Sequence, residues 1–114
     1  IKLPAILGFD FSGVVEGVGA GVKTFQIGDE VYSCSIKKEG QAYGQLIAVS
    51  EASLSLKPKN IDFKQAASIP LAAMTALQAL RDKGAVKANY RVLILGASGG
   101  VGMFAVQIAK LLGD

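Results

Sequence analysis

Between Gly96 and Gly102 four glycines fall within seven residues, in the order Gly-Ala-Ser-Gly-Gly-Val-Gly. Such density strips side chains from the backbone, and a phosphate is a ligand that needs a bare backbone to approach it. Ala97, Gly99 and Gly102 reproduce the spacing of the dinucleotide fingerprint, with alanine at its first position. In that chemistry Gly99 lets the backbone reach a pyrophosphate, and Gly102 lets a helix pack closely on the strand before it. The unpaired amides at the helix start, with the helix dipole, bind the phosphate charge. A P-loop would need lysine and Ser/Thr directly after its last glycine, and Met103-Phe104 stand there instead. A membrane span is the other competitor, because Arg91 and Lys110 flank eighteen uncharged residues. That helix would carry Gly96, Ser98, Gly99, Gly100 and Gly102 through its centre, each glycine costing about 1 kcal/mol relative to alanine. A turn between a strand and a helix accommodates the same residues without that cost.

The flanking elements must hold this turn in place. Arg91 to Leu95 is a short apolar run of buried-strand type, and Val101 to Leu112 has the texture of a helix. Upstream, Pro70 suits the first position of a helix running to about Asp82, with Leu71, Thr75 and Leu77 or Gln78 at helical spacing and Gly84 as its stop. Asp62 can cap a short helix over Phe63 to Ala67. Before Leu56 the rhythm differs, with glycine punctuation and apolar/polar alternation. There the strand candidates are Phe11–Val18, Glu30–Ile36, Gln45–Val49 and Ser53–Leu56, with a turn at Gly28-Asp29. The switch near residue 70 is the expected boundary between a β-rich part and the opening of an α/β nucleotide-binding domain.

Composition narrows the partners. Half of the residues are hydrophobic (51%), enough to bury a core rather than remain disordered. The net charge of +3 is carried by scattered lysines, among them Lys23, Lys37, Lys38, Lys57, Lys59 and Lys64, so no nucleic-acid face is expected. Cys34 is the single cysteine, which excludes an internal disulfide framework and suits a reducing compartment; the expected location is the cytoplasm. The start lacks a basic segment followed by a long apolar run, so no secretory signal is read there. Neither Ile1 nor Gly113-Asp114 reads as a natural terminus.

With these residues in view, the chain resembles the medium-chain dehydrogenase/reductase superfamily nearly end to end. Gly8 to Val22, GFDFSGVVEGVGAGV, has the glycine spacing of that superfamily's first pattern, with Phe9 where zinc-dependent members have a metal-ligating histidine and Asp10 where they have glutamate. FQIGDEVY (Phe25 to Tyr32) and AASIPLAAMTALQAL (Ala66 to Leu80) match its style, and LILGASGGVGMFAVQIAK (Leu93 to Lys110) resembles the zinc-independent quinone oxidoreductase, or zeta-crystallin-like, branch. Tyr90 and Gly44-Gln45-Leu46 depart from that branch. The absence of histidine and the lone Cys34 agree with the loss of zinc, whose sites draw three or four ligands mainly from those types.

The resemblance implies an α/β fold, with a partial GroES-like catalytic domain over residues 1–70. Residues 71–114 would be an interdomain helix and the first β-α unit of a Rossmann doubly wound sheet. It implies an NADPH-dependent oxidoreductase (NADH remaining open, since the residue that reads the ribose lies beyond 114) acting on a small quinone or enone. A homodimer, no zinc and no membrane span complete the expectation. Enoyl or alkenal double-bond reduction and non-catalytic cofactor binding are the rival functions. Expected cofactor-binding residues are Thr75, Ala97, Ser98, Gly99, Gly100, Val101 and Gly102. Thr75 equally suits a threonine bonding back to its own helix. No catalytic residue is assigned. Tyr32, Tyr43 and Tyr90 fit half-buried strand positions as well as proton donation, and Cys34, without a histidine to activate it, reads as a small buried hydrophobe.

Overall fold

The alternating residues after Asp10 form an antiparallel ladder. In the computed structural model, which describes residues 3–35 and 41–113, β1 (Asp10–Val14) pairs with β2 (Glu30–Cys34), Asp10 lying opposite Cys34 and Val14 opposite Glu30. A two-residue β3 (Ser55–Leu56) pairs with the other edge of β2, giving the order β1-β2-β3. The turn expected at Gly28-Asp29 is present. Gly28 has a φ of +95° and donates to the Val15 carbonyl at 2.9 Å, while the Asp29 carboxylate accepts from the Gln26 amide at 2.9 Å.

The sheet's two faces have different tasks. On one, Val31 and Ser33 are buried, and the Ser33 hydroxyl donates to the Ser53 carbonyl. Phe11, Val15, Val18, Val22, Leu46 and Val49 line an open apolar hollow of about 1000 Å³. The other face holds α1 (Phe63–Ala67): the Ser12 hydroxyl donates to the Phe63 carbonyl at 2.5 Å, and Ala66 is wholly buried. Asp62 caps α1 as expected, in a reciprocal box with Gln65 at 2.7 and 3.0 Å. Lys57 secures the segment before it. Its nearly buried ammonium donates to the Ile61 carbonyl (2.7 Å) and the Pro58 carbonyl (3.1 Å), pairs with Glu30 (3.1 Å) and lies 5.2 Å from the centre of the Phe63 ring.

By its internal contacts the chain divides into two compact units, Ile1–Leu71 and Ala72–Asp114. The helix α2 (Pro70–Leu77) begins in the first and continues into the second, where it passes into a π-helical turn, Gln78–Lys83. Gly84 ends that turn, its amide donating to the Ala79 carbonyl at 2.7 Å. The helix α3 (Gly100–Gly113) packs against the π-helical turn. Ala76, Gly102 and Ala105 are buried in this unit, and small residues at such positions let helices approach closely.

Four expected strands differ. The first stops at Val14, where the chain turns into the glycine-punctuated loop before β2. Residues 53–56 shrink to β3 because Ser50 caps a 3-10 turn over Glu51–Ser53. Gln45–Val49 and Arg91–Leu95 join no ladder among the described residues, and Leu93 and Leu95 are 85% and 86% exposed. Apolar alternation or an apolar run marks a segment fit for a sheet, but a strand also needs a neighbouring edge to bond to. The expected reach of β2 to Ile36 falls outside the described residues.

Candidate cofactor-binding site

The glycine turn is built by backbone alone. Gly96 leaves the apolar run with a φ of +71°, a left-handed conformation in which a β-carbon is strained. The Gly99 amide closes on the Gly96 carbonyl at 3.0 Å, and the first bond of α3 runs from the Met103 amide to the Gly99 carbonyl at 2.9 Å. Helical bonding therefore leaves the amides of Gly100, Val101 and Gly102 without intrahelical acceptors, with the positive end of the dipole behind them.

Gly102 accounts for the tightness of the turn. A β-carbon there would lie 2.7 Å from the Cα and 2.9 Å from the carbonyl carbon of Ala97, and closer still to the Gly96 oxygen. The expected role for this residue was packing of helix against strand; what presses on it is the backbone of its own loop. At Gly99 the crowding is milder, 3.3 Å from the Gly96 oxygen. Ala97, Ser98, Gly99, Gly100 and Val101 are exposed while Gly102 is buried, so the loop presents a bare rim over a closed base. Gln107 folds its side chain back onto the Met103 carbonyl at 3.0 Å.

A side chain at position 100 would come within 4.0 Å of the Ala72 methyl, which sets the first turn of α3 beside α2. Thr75 is exposed on α2 one turn beyond Ala72 and on the same face. Gly96 stands outside the expected cofactor-binding residues, although a glycine directly after an apolar run is a signal for the left-handed exit it makes here.

The remaining candidates separate. Tyr43 lies in a turn and Tyr90 outside any strand, 79% and 57% exposed, so strand placement explains only Tyr32, in β2. Cys34 is half-buried beside Asp10; burial first, then the Asp10 charge and a hydrogen bond to it, push its thiol pKa up, so it stays protonated at neutral pH. Among the described residues no three His, Cys, Asp or Glu side chains gather into a group that could hold a metal, and no helix is long and apolar enough to cross a membrane.

A β-rich unit and a glycine turn at the start of a helix give the chain a mixed α/β architecture. Residues 1–58 match the alcohol dehydrogenase GroES-like domain. The chain belongs to that family, within the medium-chain dehydrogenase/reductase superfamily. It is 45% identical over 118 aligned positions to the NADPH-dependent alkenal/one oxidoreductase, chloroplastic, of Arabidopsis thaliana, the match covering 95% of this chain and 29% of the plant protein. It is 41% identical to the quinone oxidoreductase of Sus scrofa, covering 97% of this chain and 33% of that protein. The solved quinone oxidoreductase of Coxiella burnetii superposes with a TM-score of 0.90 at 39% identity, covering 98% of this chain and 35% of that structure. The chain thus spans about a third or less of each relative's length.

Proposed function

We propose that the full-length protein is an NAD(P)H-dependent oxidoreductase that reduces an electron-poor acceptor without zinc. Residues 1–70 would form part of its catalytic domain, and 71–114 the interdomain helix and the start of its cofactor domain. The observation that carries this reading is the closed base and bare rim of the glycine turn. With Gly102 packed on Ala97, the amides of Gly100 and Val101 and the hydroxyl of Ser98 are left to receive a pyrophosphate. Ala97 and Gly99 keep the approach free of side chains, and Thr75 would lie toward the nicotinamide end. NADPH is the expected cofactor, with NADH the alternative; when bound, it supplies the hydride. The chain's own residues bind and orient the reactants and exclude water.

Quinones and α,β-unsaturated carbonyls accept hydride without a metal to polarise them. That suits a chain with no histidine and with Phe9 at the position where its resemblance places a zinc ligand. The names of the plant and pig relatives cover both acceptors. Quinone is the first reading, because the segment from Ala97 to Lys110 resembles that branch and the scattered lysines form no seat for coenzyme A phosphates. Alkenal reduction is the second, on the strength of the plant relative. A homodimer is part of the proposal. A cytoplasmic location is too, set against the chloroplastic name of the plant relative.

Steady-state kinetics with NADPH and a small ortho-quinone, an alkenal and an enoyl thioester test the assignment. The highest kcat/KM is expected on the quinone. A higher value on the thioester would move the protein to the enoyl reductases, and turnover of none would leave a cofactor-binding protein without catalysis. Metal analysis of active enzyme should find no stoichiometric zinc, and chelators should leave turnover intact.

A further inference from the structure

The start of α2 lacks a cap of its own. The residue before it is Ile69, whose side chain cannot accept a hydrogen bond, and Pro70 has no amide proton. Leu71 therefore carries the first donor of the helix. Its amide donates to Oδ1 of Asp10 at 2.7 Å, across a sequence separation of 61 residues. A carboxylate at a helix start meets both the unpaired amides and the positive end of the dipole.

Asp10 is itself held in register. The bonds from Ser35 to Phe9 (2.8 Å) and from Val15 to Asp29 (2.9 Å) put the hydrogen-bonded pairs of the β1–β2 ladder at odd positions of β1. Asp10 and Cys34 thus form a non-hydrogen-bonded pair, the geometry that brings facing side chains closest. Burial and the neighbouring Asp10 carboxylate raise the Cys34 thiol pKa, so the facing partner of Asp10 is a neutral thiol. Two positions along the same face, Ser12 ties down the Phe63 carbonyl. This face of β1 therefore binds the 62–71 segment near both ends through bonds between side chain and backbone.

We propose that Asp10 is a positioning residue, whose carboxylate, delivered from β1, caps the first turn of α2 and so sets the start of the helix that carries Thr75. The hydrogen bond stands by itself; its consequence for the cofactor rests on the functional reading above. Asp10→Ala removes the acceptor, whereas Asp10→Asn keeps an oxygen able to accept from Leu71.

Both variants of the full-length protein are to be compared by amide hydrogen exchange over residues 69–77 and by steady-state kinetics with NADPH. Asp10→Ala should speed exchange in that segment by about fivefold, as loss of one helix cap implies. It should raise KM for NADPH several-fold with kcat within about twofold of wild type, since a displaced helix weakens binding before it affects transfer. Asp10→Asn should restore most of both effects. Wild-type exchange in Asp10→Ala, or an Asp10→Asn no better than Asp10→Ala, would overturn the cap. Faster exchange with an unchanged KM would overturn the positioning role. If the wild-type protein binds no NADPH, the functional reading falls alone, and the exchange comparison still decides whether Asp10 caps α2.

Discussion

The two faces of polar chemistry in this chain are built by opposite means. In the first unit side chains reach across to backbone: Ser12 to Phe63, Ser33 to Ser53, Lys57 to Pro58 and Ile61, Glu51 to the amides of Lys23 and Thr24. In the glycine turn backbone meets backbone, and side chains are absent where the loop closes. The first arrangement uses its polar groups up within the fold. The second leaves amides unpaired at a helix start, which is what a site for an anion requires. Polar bonding that is satisfied internally holds structure, and polar bonding left open at a rim is available to a ligand.

Gly102→Val attacks the base of the turn and should have the largest effect. A side chain forced against Ala97 should cost about 3 kcal/mol of stability by overpacking, with cofactor binding lost as well. Thermal unfolding and NADPH fluorescence titration of the full-length protein read the two together. Gly99→Val attacks only the rim. NADPH affinity should fall at least about 100-fold while the unfolding midpoint stays within a few degrees, a loss of about 2.7 kcal/mol in binding. An unchanged affinity would remove the pyrophosphate assignment.

Lys57→Met is the converse test. It keeps the buried stem but leaves the Ile61 and Pro58 carbonyls without their donor, and should cost about 2 kcal/mol in denaturant unfolding. NADPH affinity should not change, and a parallel loss of affinity would erase the contrast between the two regions. Glu51 should give the smallest effect. Hydrogen bonds from the Thr24 and then the Lys23 amide lower its pKa below the ordinary glutamate value. Its folded pKa being below the unfolded one, its contribution is present above the ordinary glutamate range and lost as pH falls through the folded value. Glu51→Gln should therefore lower the melting temperature at neutral pH, with the difference shrinking on acidification.

Local chemistry made part of this legible in the sequence. Asp62 with Gln65, Pro70 at the first position of α2, Gly84 at the end of the π-helical turn that follows it and Gly28 in its turn are signals that act over a few residues, and the structure contains each of them. The glycine spacing from Ala97 to Gly102 belongs with them, because the clash it avoids is with the same loop. Pairing did not follow from pattern: the runs at Gln45–Val49 and Arg91–Leu95 have the composition of strands, but a ladder is a property of two segments. The links from Asp10 to Leu71, Ser12 to Phe63 and Lys57 to Glu30 were equally out of reach. Nothing in residue type states which distant backbone group a side chain will face; only chain folding brings together residues separated by tens of positions, and only then do their hydrogen bonds become geometrically possible.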